Sequence, residues 1–221
     1  MSEIQSLVAG LPVLQRLALS YAPAAVSQPT LALLALDVRL AGIVRSASEP
    51  MLAQLRLAWW REQLATQQSA RPAGEPLLEI LPSWEGAFDA LVGLVNGWEE
   101  MTGEAPLSSS ALEGLADARG KAFSVLAERF GTANDRKAAE RLARNWAIAD
   151  IAAHLSHSEE RRRARELAEL QDWQAVRLSR KMRPLAILHG LAARATKRGK
   201  GLDELPPSAM FSALRLGLLG R

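Results

Sequence analysis

The chain reads as all-α, a single helical bundle, on three observations. Apolar residues make up 48% of the 221, and they are mostly Ala and Leu, both strong helix formers, while aromatic residues are sparse. Apolar positions recur every three to four residues, and no stretch alternates in the two-residue period of a half-buried strand. The connectors between periodic stretches are short, which favours one domain over residues 1–221, with no internal repeat.

Residues 4–21 read as one helix or a broken pair, with Pro12 near the middle. The segment 21–29, "YAPAAVSQP", reads as a connector, because Pro23 and Pro29 each stop helix propagation. A helix over 30–45 then presents Leu33, Leu36, Leu40, Ile43 and Val44 at helical spacing. "SASEP" closes it and opens the next, with Ser48 as cap and Pro50 in the first turn. That next helix, over 51–67, carries Leu52, Leu55, Trp59 and Leu64 near one face. Adjacent tryptophans point about 100° apart on a helix. Trp59 is assigned to the core; Trp60 goes either to the core or to a stack on Arg56 or Arg61, or to a partner or membrane boundary.

"QQSARPAGEP" is a loop, and a short helix over 77–81 stops at Pro82. A helix over 83–101 buries Trp84, Phe88, Leu91, Val95 and Trp98. Ser110 with Glu113 forms a capping box for a helix that runs to Phe130 and stops at Gly131. Further helices follow over 134–157 and through the charged stretch "SEERRRARELAELQDW". Pro184 restarts or kinks the next segment, and Pro206 and Pro207 introduce a last helix over 208–219.

Composition narrows the function classes. Without cysteine there are no disulfides, thiolate metal sites or cysteine nucleophiles. No apolar run reaches the roughly 18 residues of a membrane span, since Asp37 and Arg39 interrupt the one that begins at Leu31. The N-terminus has no basic leader before an apolar region, so the expected location is cytoplasmic. Residues 1–118 carry 6 Arg, no Lys and 13 acids, whereas residues 119–221 carry 21 basic and 11 acidic residues. This asymmetry suits either an anionic partner or attraction between two halves of one domain. Nucleic acid is not an expected partner, because "EERRRARELAEL" and "KRGK" lack interleaved aromatics. A solvated helix face is the favoured reading of those stretches, with contact to an anionic membrane surface second. Serines occur in no G-x-S-x-G turn. His154, His157 and His189 include no pair four apart, so no zinc site is expected. Glu85 and Asp89 do have four-residue spacing and read as a solvated face.

One stretch carries a family resemblance. Ala35-Leu36-Asp37-Val38-Arg39-Leu40-Ala41, then Ser48-Glu49-Pro50, then Leu55-Arg56-Leu57-Ala58-Trp59-Trp60-Arg61 resembles the squalene/phytoene synthase family. It is closest to a branch with "A-F-N-x-E-L-A", "S-E-P" and "I-R-L-x-W-W-R". "LVGLVNGWEE", "LEGLADARGKAFSVLAERFG" and "ARNWAIADIAAHL" look like the family's following helices in order and spacing. The resemblance implies a bundle of the isoprenoid synthase type with a central cavity. Active members join two prenyl diphosphates using two aspartate pairs, each spaced four apart so that both carboxylates share one helix face and Mg²⁺. Here the first pair would fall at Ala41 and Arg45, the second at His154 and Ser158, and none of the four is acidic.

Two acids remain near those positions. Asp37 lies one turn before Ala41, and Asp150 one turn before His154. They form either a two-carboxylate site for one cation or a cationic ligand or, as the favoured reading, separate salt bridges, Asp37 with Arg141 or Arg144. Candidate cavity-lining residues are Asp37, Ala41, Arg45, Arg56, Trp59, Asp150 and His154, with no catalytic residue and no metal ligand assigned. The preferred expectation is a family member that has lost Mg-dependent prenyl transfer, needs no cofactor, and binds a prenyl or other lipid ligand or a protein partner at the inner face of a membrane. It resembles the branch whose mitochondrial members assist assembly of respiratory complex I. The alternative is an active head-to-head prenyltransferase of squalene/phytoene (isoprenoid) biosynthesis, with Mg²⁺ on unusual ligands.

Overall fold

The computed structural model describes residues 3–202, and the helix expected over 208–219 lies outside them. Among the described residues every regular element is helical and no strand occurs. The proline at 12 resolves the first segment into a broken pair, α1 (Glu3–Gly10) and α2 (Val13–Leu19), with Pro12 capping the second. α3 (Ala24–Ser46) begins earlier than its prolines suggest: Pro23 caps it, but Pro29 lies inside it. A proline in the second turn removes one backbone hydrogen bond. The carbonyl left without its N–H is that of Ala25, an exposed residue, while Pro29 itself is buried and its own carbonyl accepts the Trp84 indole N–H at 2.9 Å.

α3 is apolar and buried almost all round from Pro29 to Asp37, as befits a helix surrounded by others. By length and composition it would suffice to cross a membrane, contrary to the reading of the bare sequence, yet 72% of its most apolar window is buried in the bundle.

α4 (Pro50–Ala65) starts at Pro50 with Glu49, not Ser48, as its N-cap. Its buried face is Ala53, Leu57, Trp60 and Leu64, while Leu52, Leu55 and Trp59 stand exposed. The tryptophan assignment is therefore reversed: Trp60 is 3% exposed and Trp59 38%. Trp60 lies 6.0 Å below the guanidinium of Arg39 from α3, not against Arg56 or Arg61, and meets Trp59 edge-on. The helix is apolar on both sides, so its three-to-four period is satisfied by either face.

α5 (Pro76–Ile80) runs into a tight turn at Leu81–Trp84, and α6 (Phe88–Glu100) begins only after Gly86, whose φ of 77° ends the turn. Trp84 is buried but not on α6, and Glu85 precedes that helix, so the Glu85–Asp89 spacing is not a helical one. α7 (Ser109–Phe130) is capped by Ser108, which accepts the Ala111 N–H at 3.2 Å; Ser110 is not the cap, and Glu113 pairs with Arg144 instead. α8 (Asp135–His154), α9 (Ser158–Glu169) and α10 (Arg183–Thr196) complete the bundle, with Pro184 in the first turn of α10.

α7 is the middle of the assembly, packed on α6 along one side and α8 along the other. Two glycines let these helices close up. A Cβ at Gly97 would stand 2.7 Å from that of Ala118, and one at Gly120 would stand 3.0 Å from the Glu140 carbonyl. α3 crosses α6 and α7, α9 lies on α7 and α8, and α10 packs on α8 and α2. One continuous apolar core joins them.

His189 of α10 is buried against Trp173, its ring stacked at 5.5 Å and its Nε2 without a partner. Burial, aided by the charge of Arg141 and opposed by Asp172, lowers its pKa to about 4. A depressed folded-state value means stability present above the unfolded pKa of 6.5 and lost as pH falls through about 4. The full effect is about 3 kcal/mol. Urea titrations from pH 7 to 4 should show the wild type losing stability more steeply than His189→Phe. Parallel curves would contradict the assignment.

Candidate functional site

Four helices converge on one guanidinium. α7 carries Arg119 at a position that continues the buried stripe of Leu112, Leu115, Ala116, Ala122 and Phe123. α3 brings Asp37, α6 brings Trp98, and α8 brings Trp146 and Asp150 from successive turns of one face. Gly97 and Gly120, the close-approach glycines, adjoin Trp98 and Arg119 in sequence and set the helix separations that this convergence needs.

Arg119 holds Asp37 in a two-pronged pair, Nε to Oδ1 at 3.0 Å and Nη2 to Oδ2 at 2.8 Å. Its Nη1 donates to Asp150 Oδ2 at 2.9 Å. Trp98 donates its indole N–H to Asp37 Oδ1 at 2.8 Å. The guanidinium carbon lies 5.3 Å from the Trp98 ring and 5.4 Å from that of Trp146, within cation–π range of both. Burial pushes the Asp37 carboxyl above its ordinary value, against the pull of Arg119 and Trp98. Burial also acts to weaken the charged form of Arg119, but the two carboxylates outweigh it and hold that pKa above the usual guanidinium value.

Beside this cluster opens a cavity of about 380 Å³. Asp37, Ala41 and Arg45 line it at four-residue steps along α3, as do Asp150 and His154 along α8. Its walls are mainly apolar, with Val38, Val44, Met101, Leu115 and Ile151 among them. Asp37 and Asp150 form its floor with Arg119, whereas Arg45 and His154 are exposed. His154 Nδ1 lies 2.8 Å from the Asp150 carbonyl oxygen. Gln15 from α2 and Glu160 from α9 also reach the wall. Arg56 and Trp59 do not: both are on the outer surface of α4.

The salt-bridge reading of the two acids needs a different partner from those expected. Arg141 pairs with Asp172, and Arg144 with Glu113 and Asp117, so neither meets Asp37. Arg39 is committed to Glu75. Among the described residues the cation that bridges Asp37 and Asp150 is the chain's own Arg119.

Arg119, Glu160 and Gln15 were not among the residues singled out from sequence, and Trp98 was expected in the core but not at this site. For Arg119 a signal existed, since a lone cation at a core slot of an apolar stripe demands a buried anion.

The donor set does not fit Mg²⁺. Hard divalent cations need several oxygen ligands with room for water. The two carboxylates are bridged by a guanidinium, the next positions outward are Ala41, Arg45 and His154, and among the described residues no three or more His, Asp or Glu side chains converge. The basic stretch on α9 is partly self-neutralised, Arg162 pairing with Glu166 and Arg163 with Glu159. What the site offers is an apolar chamber with a rigid charged floor, suited to holding a ligand.

Removing one partner of a buried ion pair leaves an uncompensated charge and costs about 3–5 kcal/mol. Arg119→Met should lose that much in chemical denaturation. The triple variant Arg119→Met/Asp37→Asn/Asp150→Asn should lose less than the single one, because no bare charge is left. A single variant more stable than the triple would refute the assignment of the charges.

No protein-family model, curated protein or solved structure matches this chain, and the chemistry of the site is read from its own residues.

Proposed function

We propose that this chain is a squalene/phytoene synthase-like bundle, of the isoprenoid synthase type, that has lost Mg-dependent prenyl transfer and acts as a lipid- or protein-binding assembly factor on the cytoplasmic side of a membrane. The observation that carries this reading is Arg119. A side chain fixed to the protein ties up the two remaining acids, which would otherwise be the nearest carboxylates to the absent pairs at Ala41/Arg45 and His154/Ser158. Prenyl transfer needs mobile divalent cations that travel with a diphosphate and neutralise it as it leaves. A guanidinium held by two carboxylates and stacked on two indoles has its charge already compensated.

Binding is supported by the cavity itself. Its volume of about 380 Å³ and mostly apolar wall are those of a site for a small apolar ligand. A partner or membrane contact is supported by α4, where Met51 at 74% and Leu55 at 69% exposure stand beside Leu52 and Trp59. Contiguous apolar surface of this kind is a feature of interaction sites.

Purified protein incubated with farnesyl diphosphate, Mg²⁺ and NADPH should release no pyrophosphate above the protein-free control, and Mg²⁺ should leave its Tm unchanged. Formation of a C30 product, lost in Asp150→Ala, would replace this reading with that of an active head-to-head prenyltransferase.

A further inference from the structure

The cavity wall carries three carboxylates, Asp37, Asp150 and Glu160, against two guanidinium groups, Arg119 and Arg45, of which Arg119 is buried. Asp37 and Asp150 share one guanidinium, so the buried cluster carries one more carboxylate than cation. Asp150 commits Oδ2 to Arg119, while its Oδ1 lies 3.6 Å from the His154 ring, beyond hydrogen-bond range. Glu160 is buried in the first turn of α9, where Oε1 accepts the Leu107 N–H at 2.7 Å, and it has no ion pair among the described residues. Gln15, only 4% exposed, leaves its amide oxygen without a partner. These side chains come from α2, α8 and α9, three separate elements, yet all line the same chamber. Among the described residues the other guanidinium in the wall is that of Arg45, which is exposed to solvent.

A buried acceptor without a donor, as at the Gln15 amide oxygen, is unfavourable, and a ligand that supplies a donor removes the penalty. A protonated amine supplies three N–H donors and one positive charge. A diphosphate supplies neither, and would bring its negative charge against Asp150 and Glu160 in a low-dielectric chamber.

We propose that the cavity takes an amphiphile with an ammonium head and an apolar tail, the head directed at Asp150, Glu160 and Gln15 and the tail along the wall formed by Val38, Val44 and Ile151. This rests on the reading of the cavity as a binding site without metal, and it gives that site a ligand class opposite in charge to a prenyl diphosphate. The floor is already built for such a head: Arg119 holds Asp150 in place, and the backbone at Leu107 holds Glu160.

Isothermal titration of the full chain at pH 7 with decylamine, decanol and decyl phosphate tests the proposal. Decylamine should bind about tenfold or more tightly than either of the others, as expected where charge complementarity sets specificity. Ala41→Phe, which fills the chamber, should abolish that binding. Glu160→Gln should weaken decylamine about tenfold and leave decanol within about twofold, since only the charged head loses a partner. Gln15→Leu, with its fold checked by circular dichroism, should weaken decylamine too and covers the case in which the Glu160 variant does not fold. Decyl phosphate binding as tightly as decylamine, decylamine binding undiminished in Ala41→Phe, or no binding by any probe would each overturn the proposal. Turnover of farnesyl diphosphate would instead remove the metal-free reading beneath it, so the two failures are told apart.

Discussion

A guanidinium taken from water into the middle of a helical bundle loses hydration worth several kcal/mol, and the surrounding structure must replace it. Around Arg119 the replacement comes from two carboxylates hydrogen-bonded to it and two indoles within cation–π range, on α3, α6 and α8. Arginine suits this task because its planar fork presents five donors and its faces stack on aromatic rings. Each partner is itself anchored: Trp98 donates to Asp37, and Trp146 packs edge-on against Phe123, one turn beyond Arg119 on α7. Four helices are thereby fixed in rotation about their own axes, since a turn of any one would strand a buried charge.

The shape and chemistry of the cavity follow from that constraint. With Asp37 and Asp150 facing Arg119, the next turns of α3 and α8 must present Ala41, Arg45 and His154 to the chamber. An acid at any of those positions would have offered a metal an additional ligand; the residues present offer a methyl group, a cation and an imidazole. The same arrangement that makes the floor rigid leaves it with one more carboxylate than cation, a balance that an ammonium head would complete and a diphosphate would worsen.

The broad architecture could be read from the chain because helix formers, prolines and glycines act locally. Pro12 split the first helix, Gly131 ended α7, and the Ala- and Leu-rich periods produced helices with no strand among the described residues. What escaped the sequence reading depended on tertiary contacts. Pro29 is tolerated inside α3 because the carbonyl it leaves without an N–H belongs to Ala25, an exposed residue, while the ring itself is buried. α4 turned Trp60 inward because both of its faces are apolar, so periodicity defined a face without saying which one. Asp37 and Asp150 were recognisable as the acids left beside the lost motif, but their partner was not, because a charged residue in a helix is ordinarily taken for a solvated one. The position of Arg119 in the apolar stripe of α7 was the available clue.

The central claim is that Arg119, and no metal, occupies the space between the carboxylates of α3 and α8. A high-resolution crystal structure grown with Mg²⁺ and a non-hydrolysable prenyl diphosphate analogue tests it most directly. The account predicts planar guanidinium density joining Asp37 to Asp150, with no ion between them. An ordered Mg²⁺ bridging those two carboxylates, with the Arg119 side chain displaced, would contradict it.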